Sequence, residues 1–167
     1  MQVSHSTPRL LALPLLAVLC ACGDGDKTLE GSVAPLLDLR YERAEALLAE
    51  GELSVSFVTP QGAGVDTKLK VSAQVADMLP EEVYTGPLTV DLAEVLEGGA
   101  QRGAIGRSVL DEPVRAFPQL RLGTLRVDAM PLEPGQRITG EFNVTFENGT
   151  DVYSGRTIFG SFEATVP

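Results

Sequence analysis

The chain has 167 residues, with 23 acidic against 13 basic side chains, a formal net charge of −10, two Cys, one His and no Trp. Such an acidic balance disfavours nucleic acid and anionic lipid headgroups as direct partners. The length is one domain's worth, enough to bury a core without disulfides or metal.

Residues 1–21 read as an export signal, with one cation (Arg9), an apolar core from Leu10 to Leu19 and a small residue, Ala21, before Cys22. That core is half of the roughly 20 residues that a bilayer-spanning helix needs, and it contains Pro14. Leu19-Cys20-Ala21-Cys22 resembles the lipobox of bacterial lipoproteins, with an aliphatic residue three before the modified Cys and a small residue directly before it. On this reading Leu19 and Ala21 are the signal peptidase II recognition positions and Cys22 is lipidated. Cys20 as the modified residue would put Leu19 at the small-residue position. The alternatives are an ordinary secretory signal with two incidental cysteines and a hydrophobic start of a soluble protein. Gly23 follows Cys22, in place of the Asp that retains lipoproteins at the inner membrane in some bacteria, so the outer membrane is the expected site.

Cleavage before Cys22 leaves 146 residues, 167 less 21, and loss of Arg9 takes the net charge to −11. His5 and Cys20 leave with the signal. With Cys22 acylated, the folded domain holds neither an imidazole nor a free thiol. That composition excludes Ser-His-Asp and Cys-His catalysis, His-based zinc sites, thiolate clusters and His-ligated haem. Only carboxylate, hydroxyl, Lys or Arg chemistry remains, and no cofactor is expected.

After the Cys, Gly23 to Ser32 is rich in Gly, Asp and Ser, and reads as a flexible tether. The expected division is therefore a signal over 1–21, a lipidated Cys and tether over 22–32, and one β-domain over 33–167. Leu37 to Glu50 is ambiguous. Its helix formers place Leu37, Tyr41, Ala44 and Leu48 on one helical face, yet Ala49 to Glu52 reads as a turn into a strand, so the first arm of a hairpin is the favoured reading.

Period-two alternation then marks strands: Leu53, Val55 and Phe57; Leu69, Val71, Ala73 and Val75; Leu88, Val90 and Leu92. Gly98 to Gly103 is a hairpin connection, since a phosphate loop would want a following helix and a nearby Lys. Around Leu120 and Leu122 the phase shifts at Gly123, read as a β-bulge, after which Leu125, Val127 and Ala129 carry the inward face. The last third reads as a hairpin. Ile138, Gly140, Phe142, Val144 and Phe146 share one face, Asn148-Gly149 supplies the turn, and Ile158, Gly160, Phe162, Ala164 and Val166 return. Seven to nine short strands suggest an all-β fold, a single antiparallel sandwich or flattened barrel.

Three features together resemble uncharacterised bacterial lipoproteins with a C-terminal β-domain. They are the lipobox at Cys22, Phe117-Pro118 leading to Gly123-Thr124-Leu125, and the two G-x-F strands Gly140-Glu141-Phe142 and Gly160-Ser161-Phe162 flanking Asn148-Gly149. The resemblance covers the signal and the last third. It implies export and lipid anchoring, and it carries no activity.

Candidate sites are few. Asp91, Glu94, Glu97, Asp111 and Glu112 lie at strand ends and could serve a carboxylate-only glycan hydrolase, although the missing Trp and the small aromatic complement argue against a sugar-lined cleft. Asp24-Gly25-Asp26 superficially resembles part of a calcium loop but lacks the later ligands and reads as spacer, while Glu81-Glu82 and Asp111-Glu112 read as turn acids. Arg102, Arg107, Arg115, Arg121 and Arg126 are read as outward-facing partners of the many acids, with a basic strip for acidic glycans as the alternative. Asn143 and Asn148 sit in incidental glycosylation sequons. Phe159 falls on the opposite parity from Phe162 and so covers a sheet edge or marks an exposed contact. The expected function is a membrane-anchored, non-catalytic envelope module that binds protein or glycan. A carboxylate hydrolase and a calcium-stabilised adhesion domain are the alternatives.

Overall fold

A computed structural model describes residues 27–79, 85–113 and 116–167. The expected signal, Leu19, Ala21, Cys22, Asp24 to Asp26, Glu81-Glu82 and Arg115 lie outside them. The described residues contain no α-helix. Ten strands follow in order: β1 (Lys27–Thr28), β2 (Arg40–Tyr41), β3 (Arg43–Ala49), β4 (Glu52–Gln61), β5 (Gly64–Gln74), β6 (Leu88–Asp91), β7 (Gly103–Ser108), β8 (Leu120–Val127), β9 (Arg137–Phe146) and β10 (Thr157–Thr165). The all-β, sandwich-like expectation holds. β1 and β2 pair separately, and the other eight strands form one open sheet in the order β6-β8-β9-β10-β3-β4-β5-β7.

That sheet folds into two four-stranded halves, joined at β10 and β3 by only two register pairs, Ala164↔Ala44 and Thr165↔Glu45. The junction is parallel, so the sheet is mixed where an antiparallel one was expected. On the other side Leu92, just after β6, links β8 to β7, donating its N–H to Gly123 O at 2.9 Å and accepting from Gly103 N at 2.9 Å. Gly103 must be small there, because a Cβ would stand 2.5 Å from Leu92 Cβ. Between the halves Phe57 of β4 meets Tyr41 at 4.9 Å, Phe142 of β9 at 5.5 Å and Phe162 of β10 at 5.9 Å, centroid to centroid. Such ring pairs add about 0.5–1.5 kcal/mol each beyond area burial.

Within 37–50 the hairpin arm is 43–49, β3, which pairs with β4 from Arg43↔Val58 to Ala49↔Glu52, while 40–41 is β2, paired with β1, and 37–39 is not strand. Sheet pairing and the burial of Ala44 and Ala46 override helix propensity here. The inward faces of β4, β5, β6, β9 and β10 are also as expected, with Leu69, Val71, Ala73 and Val75 all buried, while Ser54, expected on the wet face of β4, is buried too.

Three expectations need correction. Residues 27–32 are not tether: Leu29 is buried at 2% exposure and Glu30 bridges Phe159, because an apolar side chain and the open edge of β10 both gain a partner. The bulge lies between Leu120 and Leu122 and turns Leu122 outward, whereas Gly123 is the buried residue just after it, against Leu92. Asn148-Gly149 is not the hairpin turn. The connection runs over 147–156, its left-handed residue is Gly155 (φ 69°), and its Tyr153 is drawn into the core.

Candidate functional site

Four connections meet at one end of the sandwich: 32–39, the β4–β5 turn, 109–119 and 147–156. Arg107, near the end of β7, ties two of them, 32–39 and 109–119, to β5. Its guanidinium donates to both Glu112 carboxylate oxygens at 2.7 and 2.6 Å, to Lys68 O at 2.7 Å and to Asp38 O at 3.0 Å. Asp66, buried beside the turn, accepts from Leu110 N at 3.0 Å and from Lys68 Nζ at 3.3 Å. The Leu110 amide, with Lys68 beside it, holds the Asp66 carboxyl below the usual carboxylate range.

An aromatic stack joins 109–119 to 147–156. Phe117 lies parallel on Phe146 at 5.4 Å and against Tyr153 at 4.9 Å. Arg156 donates to Val152 O and Ser32 O at 2.9 and 2.8 Å, closing the ring of loops. Beneath them Arg107, Val109, Glu112, Pro113, Phe117 and Tyr153 line a cavity of about 30 Å³, large enough for water but not for an organic ligand.

The resulting tip presents aliphatic side chains to solvent. Leu110 is 78% exposed, and Leu36 and Val152 on two of the other connections and Val65 at the start of β5 are exposed as well. Asp111, Glu147 and Asp151 of the same connections are also exposed. Among the described residues, the 32–39 connection also lines an open hollow of about 530 Å³ with Thr28, Glu30 and Arg40.

The sequence candidates are dispersed. Glu94 and Glu112 are engaged by Arg102 and Arg107, Asp91 accepts from Ala93 N at 2.9 Å, and Glu97 is exposed. Among the described residues no group of three or more His, Cys, Asp or Glu is placed to hold a metal ion. The arginines do not form a strip. Arg126 pairs with Asp128, Arg121 is exposed, and Arg102 is buried, which corrects its outward-facing assignment.

Arg102 has a side chain only 3% exposed, yet it reaches Asp77 through two bonds of 2.6 and 2.8 Å, Glu94 at 2.6 Å and Gln74 O at 2.7 Å. Asp77 and then Glu94 push its pKa further up, and Arg102 in turn holds the Asp77 carboxyl below its usual range. The guanidinium crosses from the start of β7 to the end of β5, and so acts as a structural clasp.

Phe159 is 43% exposed on the outer face of β10, beside Glu30, Glu141, Asn143 and Ser161 in a shallow open hollow. Its backbone exchanges two hydrogen bonds with Glu30, at 2.9 and 3.0 Å. Sequence reasoning missed Tyr153, Leu110 and Asp66. The detectable signal was a tyrosine inside a long polar loop and a lone leucine beside acids. Comparison with protein-family models, with curated proteins and with solved structures finds no match for the chain.

Proposed function

We propose that this chain is an envelope lipoprotein, anchored through an acyl group on Cys22, whose β-domain makes non-catalytic contact with a protein partner through its loop end. The observation that carries the contact surface is Leu110. A lone exposed leucine is ordinary, but the backbone of this one is held by the buried Asp66, and Leu36, Val65, Val152 and several acids are exposed on elements of the same end. Rigid presentation lowers the ordering cost of binding. The exposed acids favour a partner with basic and apolar side chains. Support for the anchor is the lipobox around Cys22. Support for a non-catalytic role is that Glu94 and Glu112 are spent on arginines and Asp91 on a backbone amide.

The test is cross-linking and co-purification of the full-length protein from its native envelope, read by mass spectrometry, beside a Leu110→Asp/Val152→Asp variant and a Cys22→Ala control. The expected result is one specific protein recovered with the native chain and lost with the loop-end variant. Retention of that protein by the variant would refute the assigned surface.

A second reading, glycan contact, is favoured by Phe159, an exposed ring among Glu30, Asn143 and Ser161. Oligosaccharide binding abolished by Phe159→Ala would support it, and no binding to envelope glycans would remove it.

A further inference from the structure

The direction in which the chain enters the domain fixes which end meets the membrane. Glu30 bridges Phe159 antiparallel, and Ser32 exchanges hydrogen bonds with Thr157, so the segment 27–32 runs back along the edge of β10. Lys27 therefore lies beside Ser161 to Glu163, in the C-terminal half of β10. It shares an open hollow of about 700 Å³ with Arg126, Asp128, Thr139 and Glu163, beside the β8–β9 connection. The loop end lies beyond Thr157, at the other end of β10, a nine-residue strand spanning about 30 Å.

Five residue steps separate Cys22 from Lys27, so their Cα atoms stand no more than about 18 Å apart.

From these observations we infer that the end carrying Lys27 and the β8–β9 connection stands against the bilayer, and that the loop end projects away from it. The inference rests on acylation at Cys22 and deepens the proposed function, because it leaves Leu110 free to meet a partner. Only four residues, Gly23 to Asp26, separate Cys22 from the segment 27–32 that pairs with β10.

Full-length acylated protein carrying a single introduced thiol is labelled with a fluorophore and reconstituted into phosphatidylethanolamine–phosphatidylglycerol vesicles with nitroxide-labelled headgroups. Arg137→Cys and Glu133→Cys report on the proximal end; Leu110→Cys and Glu147→Cys report on the loop end. All four positions are exposed, so loss of folding at one leaves a second reporter. The expected result is quenching several-fold stronger at Arg137 and Glu133 than at Leu110 and Glu147. Equal or reversed quenching in a sample whose mass confirms acylated Cys22 would overturn the orientation alone. A chain that proves unacylated would overturn both the anchor and the orientation.

Discussion

Leu29 occupies the hollow that Gly160 leaves in β10: a Cβ built on Gly160 would stand 2.7 Å from Leu29 Cδ2. The missing side chain of one strand is thus supplied by a segment more than a hundred residues earlier. Leu29→Ala is expected to destabilise the domain by about 2–5 kcal/mol, as buried leucine truncations do. Urea unfolding of the native and variant proteins measures it, and an unchanged midpoint would mean that 27–32 adds nothing to the fold.

Arg102→Met removes a guanidinium that satisfies Gln74 O and both acids. Leaving the Gln74 carbonyl without its partner costs about 1–3 kcal/mol. The cost depends on pH through Asp77, whose carboxyl is depressed by Arg102 in the folded state. A depressed carboxyl contributes stability that is present above its unfolded value and lost as pH falls through its folded value. The gap between native and variant stability should therefore narrow as pH drops from 6 to below 3. Chemical denaturation across that range reads the effect directly, and a gap that widened on acidification would contradict it.

At the β3–β4 turn Glu50 (φ 53°) and Gly51 (φ 80°) both adopt left-handed conformations. That is the pattern of a type I′ hairpin, which costs a residue such as Glu more than it costs Asn. Glu50→Asn should stabilise the domain by on the order of 1 kcal/mol, seen as a raised melting temperature. A lowered one would mean that the Glu50 side chain has a role beyond the turn.

The bond from Leu110 N to Asp66 predicts a local response. Asp66→Ala should sharply reduce the hydrogen-exchange protection of the Leu110 amide, while Asp66→Asn, which keeps an acceptor oxygen, should retain most of it. Equal protection in the two variants would show that the 109–119 connection is held by its aromatic stack alone.

Much of this fold was legible in the sequence, because half-buried strands write their burial as alternation. Leu53 to Phe57, Leu69 to Val75 and Ile138 to Phe146 each announced an inward face that the structure keeps. β7 was not legible, since Gly103 to Ser108 carries only Ala104 and Ile105 as apolar residues. Its place is set by pairing with β5 and by the Arg102 clasp, which are contacts distant in sequence. Asn148-Gly149 misled for a related reason. Local turn chemistry favoured a two-residue loop, but the burial of Tyr153 against Phe117 rewards a longer one. The loop end was invisible for the same cause: its connections are joined only by Arg107 to Asp38 and Glu112, by Asp66 to Leu110 and by Arg156 to Ser32.

The central claim, an acyl anchor at Cys22 feeding a domain that begins almost at once, is tested most directly by the intact mass and N-terminal peptide of the protein isolated from its native membranes. The account predicts a chain that starts at Cys22 and carries glyceryl and fatty acyl groups on that residue, lost in Cys22→Ser. A chain that retains residues 1–21, or one cleaved elsewhere with Cys22 unmodified, would contradict it.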